Sequence, residues 1–233
     1  MDTATPPFLY VAIDHTDKDK VYRAAEELSG VDSDRFGYKV NLDFLFLNGP
    51  EAVKPIVDMG RPVFADLKMW NGRRTMLIIA EYLDKLRVKA MNAYSHAGVD
   101  FLGKLAESLS DEHELFGVTV LSHYTDADCQ RVYGCDLKEA VRRLALISQE
   151  AGCDGIILPG TALDVVRDMS MHKVVPAVRP TWYADRKDNF QEQTSTPSEA
   201  IEGGADILVC GSPIIKSLNK AEALRRIMDE MRI

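Results

Sequence analysis

PVFADLK (62–68) is a short run in which apolar residues lead into an aspartate and a lysine. Its composition is that of a strand buried on both faces, with the charged pair at the strand end. Similar apolar runs recur along the chain with helical patterns between them, which predicts eight parallel strands joined by crossover helices. The other predicted strands are 8–14 (FLYVAID), 35–41 (RFGYKVN), 88–94 (VKAMNAY), 115–122 (LFGVTVLS), 155–159 (GIILP), 173–179 (KVVPAVR) and 206–212 (DILVCGS).

Eight strand–helix units favour a closed (β/α)8 barrel, with an open doubly wound sheet as the alternative. The chain has 233 residues, 46% of them hydrophobic, which suits one domain spanning 1–233. The sequence predicts helix starts at Asp136, Thr196 and Asn219, because each is a capping residue with a glutamate three positions later.

The charge balance is acidic, with 36 Asp and Glu against 28 Lys and Arg. Such a balance predicts neither nucleic acid nor an anionic membrane as a partner. The four cysteines show no C-x-x-C spacing, residues 1–7 are too polar for a signal peptide, and eighteen apolar residues never run together. We therefore expect a soluble cytoplasmic protein with reduced thiols.

Polar residues fall where the predicted strands end, and in a barrel these ends line one common mouth. Asp66 and Lys68 are two apart on one strand, so their side chains share a face, and Lys39 on the adjacent strand can reach them. A lysine kept protonated by a neighbouring carboxylate can donate a proton to carbon. The alternative interpretation is an internal ion-pair network that only closes the barrel. Further polar strand ends are Asp14, Ser122 and Gly211–Ser212.

One long polar connection, 180–196 (PTWYADRKDNFQEQTST), joins the seventh and eighth strands. Loops of this length in a compact domain are usually functional or disordered, so this one is predicted to be a lid.

Six segments together resemble the signatures of the orotidine 5′-monophosphate decarboxylases, in the family's order and spacing. They are VAID, YKV, FADLKMWN, TVLSH, VPAVRP and TPSEAIEGGADILVCGSPI. The resemblance implies a homodimeric barrel with sites at the subunit interface. It also implies a small nucleotide-like substrate and no metal or organic cofactor.

The resemblance assigns Lys39, Asp66 and Lys68 to three places of a Lys–Asp–Lys–Asp array. In the family's reaction, carboxylate loss leaves a vinylic carbanion that the lysine at position 68 stabilises and protonates, while Asp66 crowds the departing carboxylate. The fourth place holds Asn71 instead of the aspartate that reaches into the neighbouring subunit's site. An equally acceptable interpretation makes Asn71 the N-cap of the next helix.

Substrate contacts are implied for a second group of residues. Ser122 matches a pyrimidine-contacting hydroxyl, and Gln191 matches a phosphate-contacting glutamine. Relatives carry Gly-Arg where this chain has Gly211-Ser212, so we expect backbone amides at a helix start capped by Ser212, or Arg186 or Lys187 of the long loop, to hold phosphate. Asp14 and Gly211 complete the predicted substrate-binding set.

Two further departures, Ala177 for a common glycine and Tyr94 for a common histidine, are expected at the mouth. The departures keep two alternatives open besides decarboxylation of orotidine 5′-monophosphate to UMP. One is a diverged lyase for another phosphorylated or nucleoside-like substrate. The other is a catalytically silent barrel that binds a nucleotide or a protein partner.

Overall fold

Eight parallel strands form a closed barrel in which each strand pairs with its neighbours in the chain and β8 returns to β1. The computed structural model describes residues 7–183 and 193–231. The prediction of a (β/α)8 barrel is confirmed, and the open-sheet alternative is excluded. The strands are β1 (Phe8–Ala12), β2 (Phe36–Asn41), β3 (Val63–Met69), β4 (Ala90–Tyr94), β5 (Glu114–Val118), β6 (Gly155–Ile157), β7 (His172–Val175) and β8 (Ile207–Cys210).

Helical segments cover the outside of the barrel between the strands. The α-helices are α1 (Lys18–Ser29), α2 (Leu42–Asn48), α3 (Lys54–Val57), α4 (Arg73–Lys85), α5 (Val99–Glu107), α6 (Asp126–Tyr133), α7 (Leu137–Glu150), α8 (Pro197–Glu202), α9 (Ser212–Ile215) and α10 (Lys220–Glu230). Three 3₁₀ helices, Pro50–Val53, Ser95–Ala97 and Gly160–Val166, complete the connections within the described residues.

Aromatic rings fill the inside of the barrel below its mouth. Tyr10, Phe64 and Phe116 are almost fully buried there. Phe64 lies 5.4 Å from Tyr10 and 5.5 Å from Phe116 between ring centroids, both in tilted or edge-on arrangements that aromatic pairs prefer. This packed layer is a floor, and it confines any ligand to the carboxyl ends of the strands.

Three helix starts predicted from sequence are confirmed. Asp136 accepts a hydrogen bond from the backbone N–H of Glu139, and Asn219 accepts one from that of Glu222. Thr196 forms a reciprocal capping box with Glu199. The prediction that Ser212 caps its helix is wrong by one residue, because α9 begins at Ser212 and Gly211 is the N-cap.

Several strands end earlier than their apolar runs predict, and β7 shows why. The run 173–179 continues past Val175, but Pro176 has no N–H to give to the ladder. Ala177 then adopts φ +60°, a left-handed conformation that costs a residue with a Cβ about 1–2 kcal/mol. The chain therefore leaves the sheet there and turns over the barrel mouth.

Ala177→Gly is expected to raise the free energy of unfolding by about 0.5–1 kcal/mol. Relief of the left-handed strain exceeds the extra entropy that glycine gives the unfolded chain. Urea titration measures the change. The matched control is Ala106→Gly in α5, where backbone geometry is helical and the same substitution lowers stability by about 0.5–1 kcal/mol. Equal losses in both variants would contradict the strain at position 177.

Candidate active site

A cavity of about 850 Å³ opens at the carboxyl ends of the strands. This volume suits a small organic ligand. Seven of the residues predicted from strand ends line it, and they come from five different strands or the turns that follow them. They are Asp14, Lys39, Asp66, Lys68, Ser122, Gly211 and Ser212.

Asp66 lies at the centre of a Lys–Asp–Lys array. Its Oδ2 accepts a hydrogen bond from Nζ of Lys39 at 3.0 Å, and its Oδ1 accepts one from Nζ of Lys68 at 2.6 Å. Lys39 and Asp66 are buried, at 5% and 9% exposure, whereas the Lys68 side chain is 38% exposed. Lys68 is therefore the cation that faces the open cavity.

A second carboxylate completes the surroundings of Lys39. Nζ of Lys39 lies 3.1 Å from Oδ1 of Asp14, whose side chain is half exposed. The Asn41 amide bridges the two, since its oxygen accepts from Lys39 and its nitrogen donates to Asp14 at 2.9 Å. Sequence reasoning missed Asn41, although its position two residues after Lys39 on β2 was a signal that it shares the same face.

Burial and neighbouring charges act in opposite directions on the buried ionisable groups. Burial alone would lower the pKa of Lys39, but the carboxylates of Asp66 and Asp14 outweigh it, and the pKa is raised. Burial alone would raise the pKa of Asp66, but the ammonium groups of Lys39 and Lys68 hold it well below its usual range. At neutral pH, Asp66 is therefore deprotonated and negatively charged, and Lys39 is protonated and positively charged.

Asn71 does not join the array within one chain. It is exposed, it lies outside the cavity lining, and its side-chain oxygen accepts a hydrogen bond from the Gly72 N–H at 2.7 Å. The interpretation of Asn71 as a helix N-cap is wrong, because α4 begins at Arg73 and Gly72 is its N-cap. Asn71 instead lines an apolar groove beside the mouth, and Lys68 lines both the groove and the cavity. The other residues that line the groove are Leu42, Leu45, Phe46, Pro50, Leu67, Met69, Trp70, Met76, Ile78, Ile79, Tyr82 and Leu83.

At the opposite side of the cavity lies a buried arginine that sequence reasoning missed. Arg179 is 5% exposed and lines the cavity, and its Nε has no hydrogen-bond partner among the described residues. Gly211 lies on the same lining, and a Cβ there would come within 3.0 Å of the Ala12 carbonyl oxygen. The cue for Arg179 is its place in VPAVRP, as the last residue of the predicted seventh strand.

Part of the predicted phosphate corner lies outside the described residues. Arg186, Lys187 and Gln191 belong to segment 184–192, as does most of the predicted lid. The first residue described after this segment, Gln193, lies at the mouth, where its N–H donates to the Ser122 carbonyl at 2.9 Å.

Tyr94 differs from its predicted place. It does not line the cavity but packs in an aromatic cluster, with ring centroids 6.2 Å from Trp70 and 5.8 Å from His96. Burial raises the pKa of Tyr94, with Tyr124 and Asp66 adding to the shift. Ala177, by contrast, lines the cavity as predicted.

Within residues 7–183 and 193–231, no helix has the length and apolar character needed to cross a membrane. The same residues contain no group of three or more His, Cys, Asp or Glu side chains arranged to hold a metal ion.

Comparisons with known proteins identify the relatives of this chain. A family profile described as "Orotidine 5'-phosphate decarboxylase / HUMPS family" matches residues 7–227. A protein of Dictyoglomus thermophilum named orotidine 5'-phosphate decarboxylase is 30% identical over 236 residues, covering 96% of this chain and 94% of that one. One of the same name from Nitrosomonas europaea is 31% identical over 230 residues, covering 97% of each chain.

A solved structure has the same fold. The crystal structure of orotidine 5'-phosphate decarboxylase from Lactobacillus acidophilus aligns with a TM-score of 0.82 at 22% identity, covering 98% of this chain and 100% of that one. With the profile match over nearly the whole chain, these findings establish that the chain belongs to the orotidine 5'-phosphate decarboxylase / HUMPS family.

Proposed function

We propose that the protein decarboxylates orotidine 5′-monophosphate to UMP without a metal or organic cofactor. The observation that carries the proposal is the Lys39–Asp66–Lys68 array, in which the partly exposed Lys68 side chain lines a cavity of nucleotide size. The names of the relatives at 30% and 31% identity support the same substrate.

The proposed reaction needs only charge and one proton. The bond between the pyrimidine carbon and the carboxylate breaks, carbon dioxide leaves, and the electron pair stays on the ring carbon. The Lys68 ammonium stabilises this carbanion and gives it a proton, forming the C–H bond of UMP, and Lys68 then takes a proton from solvent. Asp66 keeps a fixed negative charge beside the substrate carboxylate, which disfavours the ground state relative to the transition state.

Lys68→Ala is expected to lower kcat by a factor on the order of 10³ or more, because it removes both the proton donor and the preorganised charge. Loss of orotate absorbance measures turnover. The matched control is Lys104→Ala on the outer helix α5, which should keep wild-type kcat.

The wild-type protein in the same assay separates the alternatives. Tight UMP binding without turnover would identify a silent nucleotide-binding barrel. Neither binding nor turnover would identify a diverged lyase with another substrate, for which Asn71 and Ser212 are adaptations.

We infer that Arg179 binds the substrate phosphate, in place of the arginine that relatives carry after the glycine at 211. A buried guanidinium with an unsatisfied N–H beside an open cavity is set to form charge-assisted hydrogen bonds to an anion. Ser212 adds a hydroxyl and a backbone amide on the same lining. Gln191 and either Arg186 or Lys187 are proposed to complete the site from the long loop.

Arg179→Met is expected to lower kcat/KM for orotidine 5′-monophosphate by about 10–100-fold, the value of one or two charge-assisted hydrogen bonds. The nucleoside orotidine, which has no phosphate, should react at the same low kcat/KM with both proteins. Arg143→Met, on the exposed face of α7, is the control. Equal losses for the two substrates would place Arg179 outside the phosphate site.

We also propose that the protein works as a homodimer with the apolar groove at the interface. The groove and its rim carry exposed large apolar side chains, including Phe46 at 83% and Trp70 at 66% exposure. Contiguous exposed apolar surface usually marks an interaction site, and a second copy can cover it symmetrically. In this arrangement, Asn71 of each chain lies against the other chain's Lys68 region. The other exposed members are Leu42, Ile78, Ile79 and Tyr82.

Phe46→Glu is expected to convert the dimer into a monomer and to lower kcat, because a charge cannot be buried at the interface without a partner. Light scattering during size-exclusion chromatography measures the mass. Leu146→Glu on α7 introduces the same charge at an exposed leucine away from the groove and should leave a dimer. A wild-type monomer at assay concentration would contradict the proposal.

A further inference from the structure

The sheet is interrupted beside Lys68, between β3 and β4. The two strands pair at Ala65 with Met91 and again at Met69 with Ala93, so four steps along β3 correspond to two along β4. Lys68 lies inside this bulge with φ +46°, a left-handed conformation that a lysine rarely adopts. Its N–H has no regular ladder partner at this point.

The Asn92 side chain takes the place of that missing partner. Its Oδ1 accepts a hydrogen bond from the Lys68 backbone N–H at 2.6 Å. Asn92 comes from the middle of β4 and is 0% exposed, so its carbonyl group is fixed by the barrel itself. The bond holds the bulge in one conformation at the residue that bears the exposed ammonium.

The amide nitrogen of the Asn92 side chain binds the Asp66 carboxylate. Nδ2 of Asn92 donates to Oδ1 of Asp66 at 2.7 Å, and this same oxygen accepts from Nζ of Lys68. Because a carboxylate only accepts and a backbone N–H only donates, the orientation of the amide is determined by its partners. One side chain thus fixes both the backbone of Lys68 and the carboxylate that its ammonium contacts.

No ordinary substitute provides both bonds at this position. Leucine has a similar shape but leaves a buried N–H and a carboxylate lone pair unsatisfied. Aspartate accepts from Lys68 but donates to Asp66 only when protonated. Asn92 does not line the cavity, so any effect on the reaction passes through its two neighbours.

We propose that Asn92 is a positioning residue that sets the location of the Lys68 ammonium relative to Asp66. The role rests on the proposed decarboxylation. The contact itself does not depend on that reaction, so the role and the contact have separate tests.

Asn92→Leu is expected to lower kcat by about 100-fold or more with a small change in KM, because the array loses its geometry while the rest of the cavity lining stays intact. A KM effect of the same size, or a kcat within threefold of wild type, would overturn the proposal.

Asn92→Asp gives a sharper test, because it is isosteric and its donor is titratable. Four charged or titratable groups surround position 92. They are Asp66 and Lys68 on β3, Lys39 on β2 behind Asp66, and Tyr94 further along β4. On β5, position 92 pairs with Phe116, which is apolar. Two adjacent carboxyl groups share a proton at low pH and repel each other at high pH. The kcat of this variant should approach wild type at pH 5 and fall at least tenfold by pH 8, relative to wild type at each pH.

A pH profile parallel to that of wild type would overturn the proposal. So would failure of Asn92→Asp to fold at pH 5, since the protonated acid reproduces both hydrogen bonds there.

Hydrogen exchange at the Lys68 amide tests the contact without any substrate. Exchange should be at least tenfold faster in Asn92→Leu than in wild type, and close to wild type in Asn92→Asp, which keeps the acceptor. If the wild-type protein does not turn over orotidine 5′-monophosphate, the proposed function fails while this measurement still decides the contact. Unchanged exchange in Asn92→Leu would refute it.

Discussion

The carboxylate of Asp66 is the group on which the rest of the site depends. It is buried, and it remains charged only because two ammonium groups and one amide surround it. Burying a charge is costly unless it is paired and hydrogen-bonded, and here each partner comes from a different place in the barrel. Lys39 comes from β2, Lys68 from β3 itself and Asn92 from β4. Three adjacent strands must be in register before the carboxylate is satisfied.

This arrangement links the fold to the chemistry. The aromatic floor closes the barrel below the array, so charge is concentrated at the mouth where a ligand can reach it. The bulge at Lys68 then turns a strand residue toward the cavity at a cost in backbone strain. Such strain is typical of functional sites and persists only where neighbouring contacts over-determine the conformation.

The sequence predicted the parts of the molecule that follow from periodicity. Alternation of apolar strands and helices was enough for the barrel, and the spacing of Asp66 and Lys68 was enough to place both on one face. The sequence did not predict residues whose role depends on contacts between distant parts of the chain. Asn92 reads as an ordinary polar residue within a strand, and only the irregular register of β3 against β4 reveals its two bonds. The position of Arg179 at a predicted strand end places it near the mouth, but its burial beside the open cavity is visible only in the structure. The N-cap that the sequence predicts at Asn71 is provided by Gly72.

Three of the four positions at which the resemblance implies a departure from the family lie outside the strands, and the fourth, Tyr94, ends β4 and packs beside the aromatic layer. Asn71, Ala177 and Ser212 all come after a strand has ended, and none contributes a side chain to the aromatic floor. Changes at Ala177 and Ser212 alter the cavity lining, and changes at Asn71 alter the neighbouring groove, while the packing of the aromatic floor is left as it was. A lineage carrying this fold can therefore change the ligand that the mouth holds by altering these turns, without repacking the interior of the barrel.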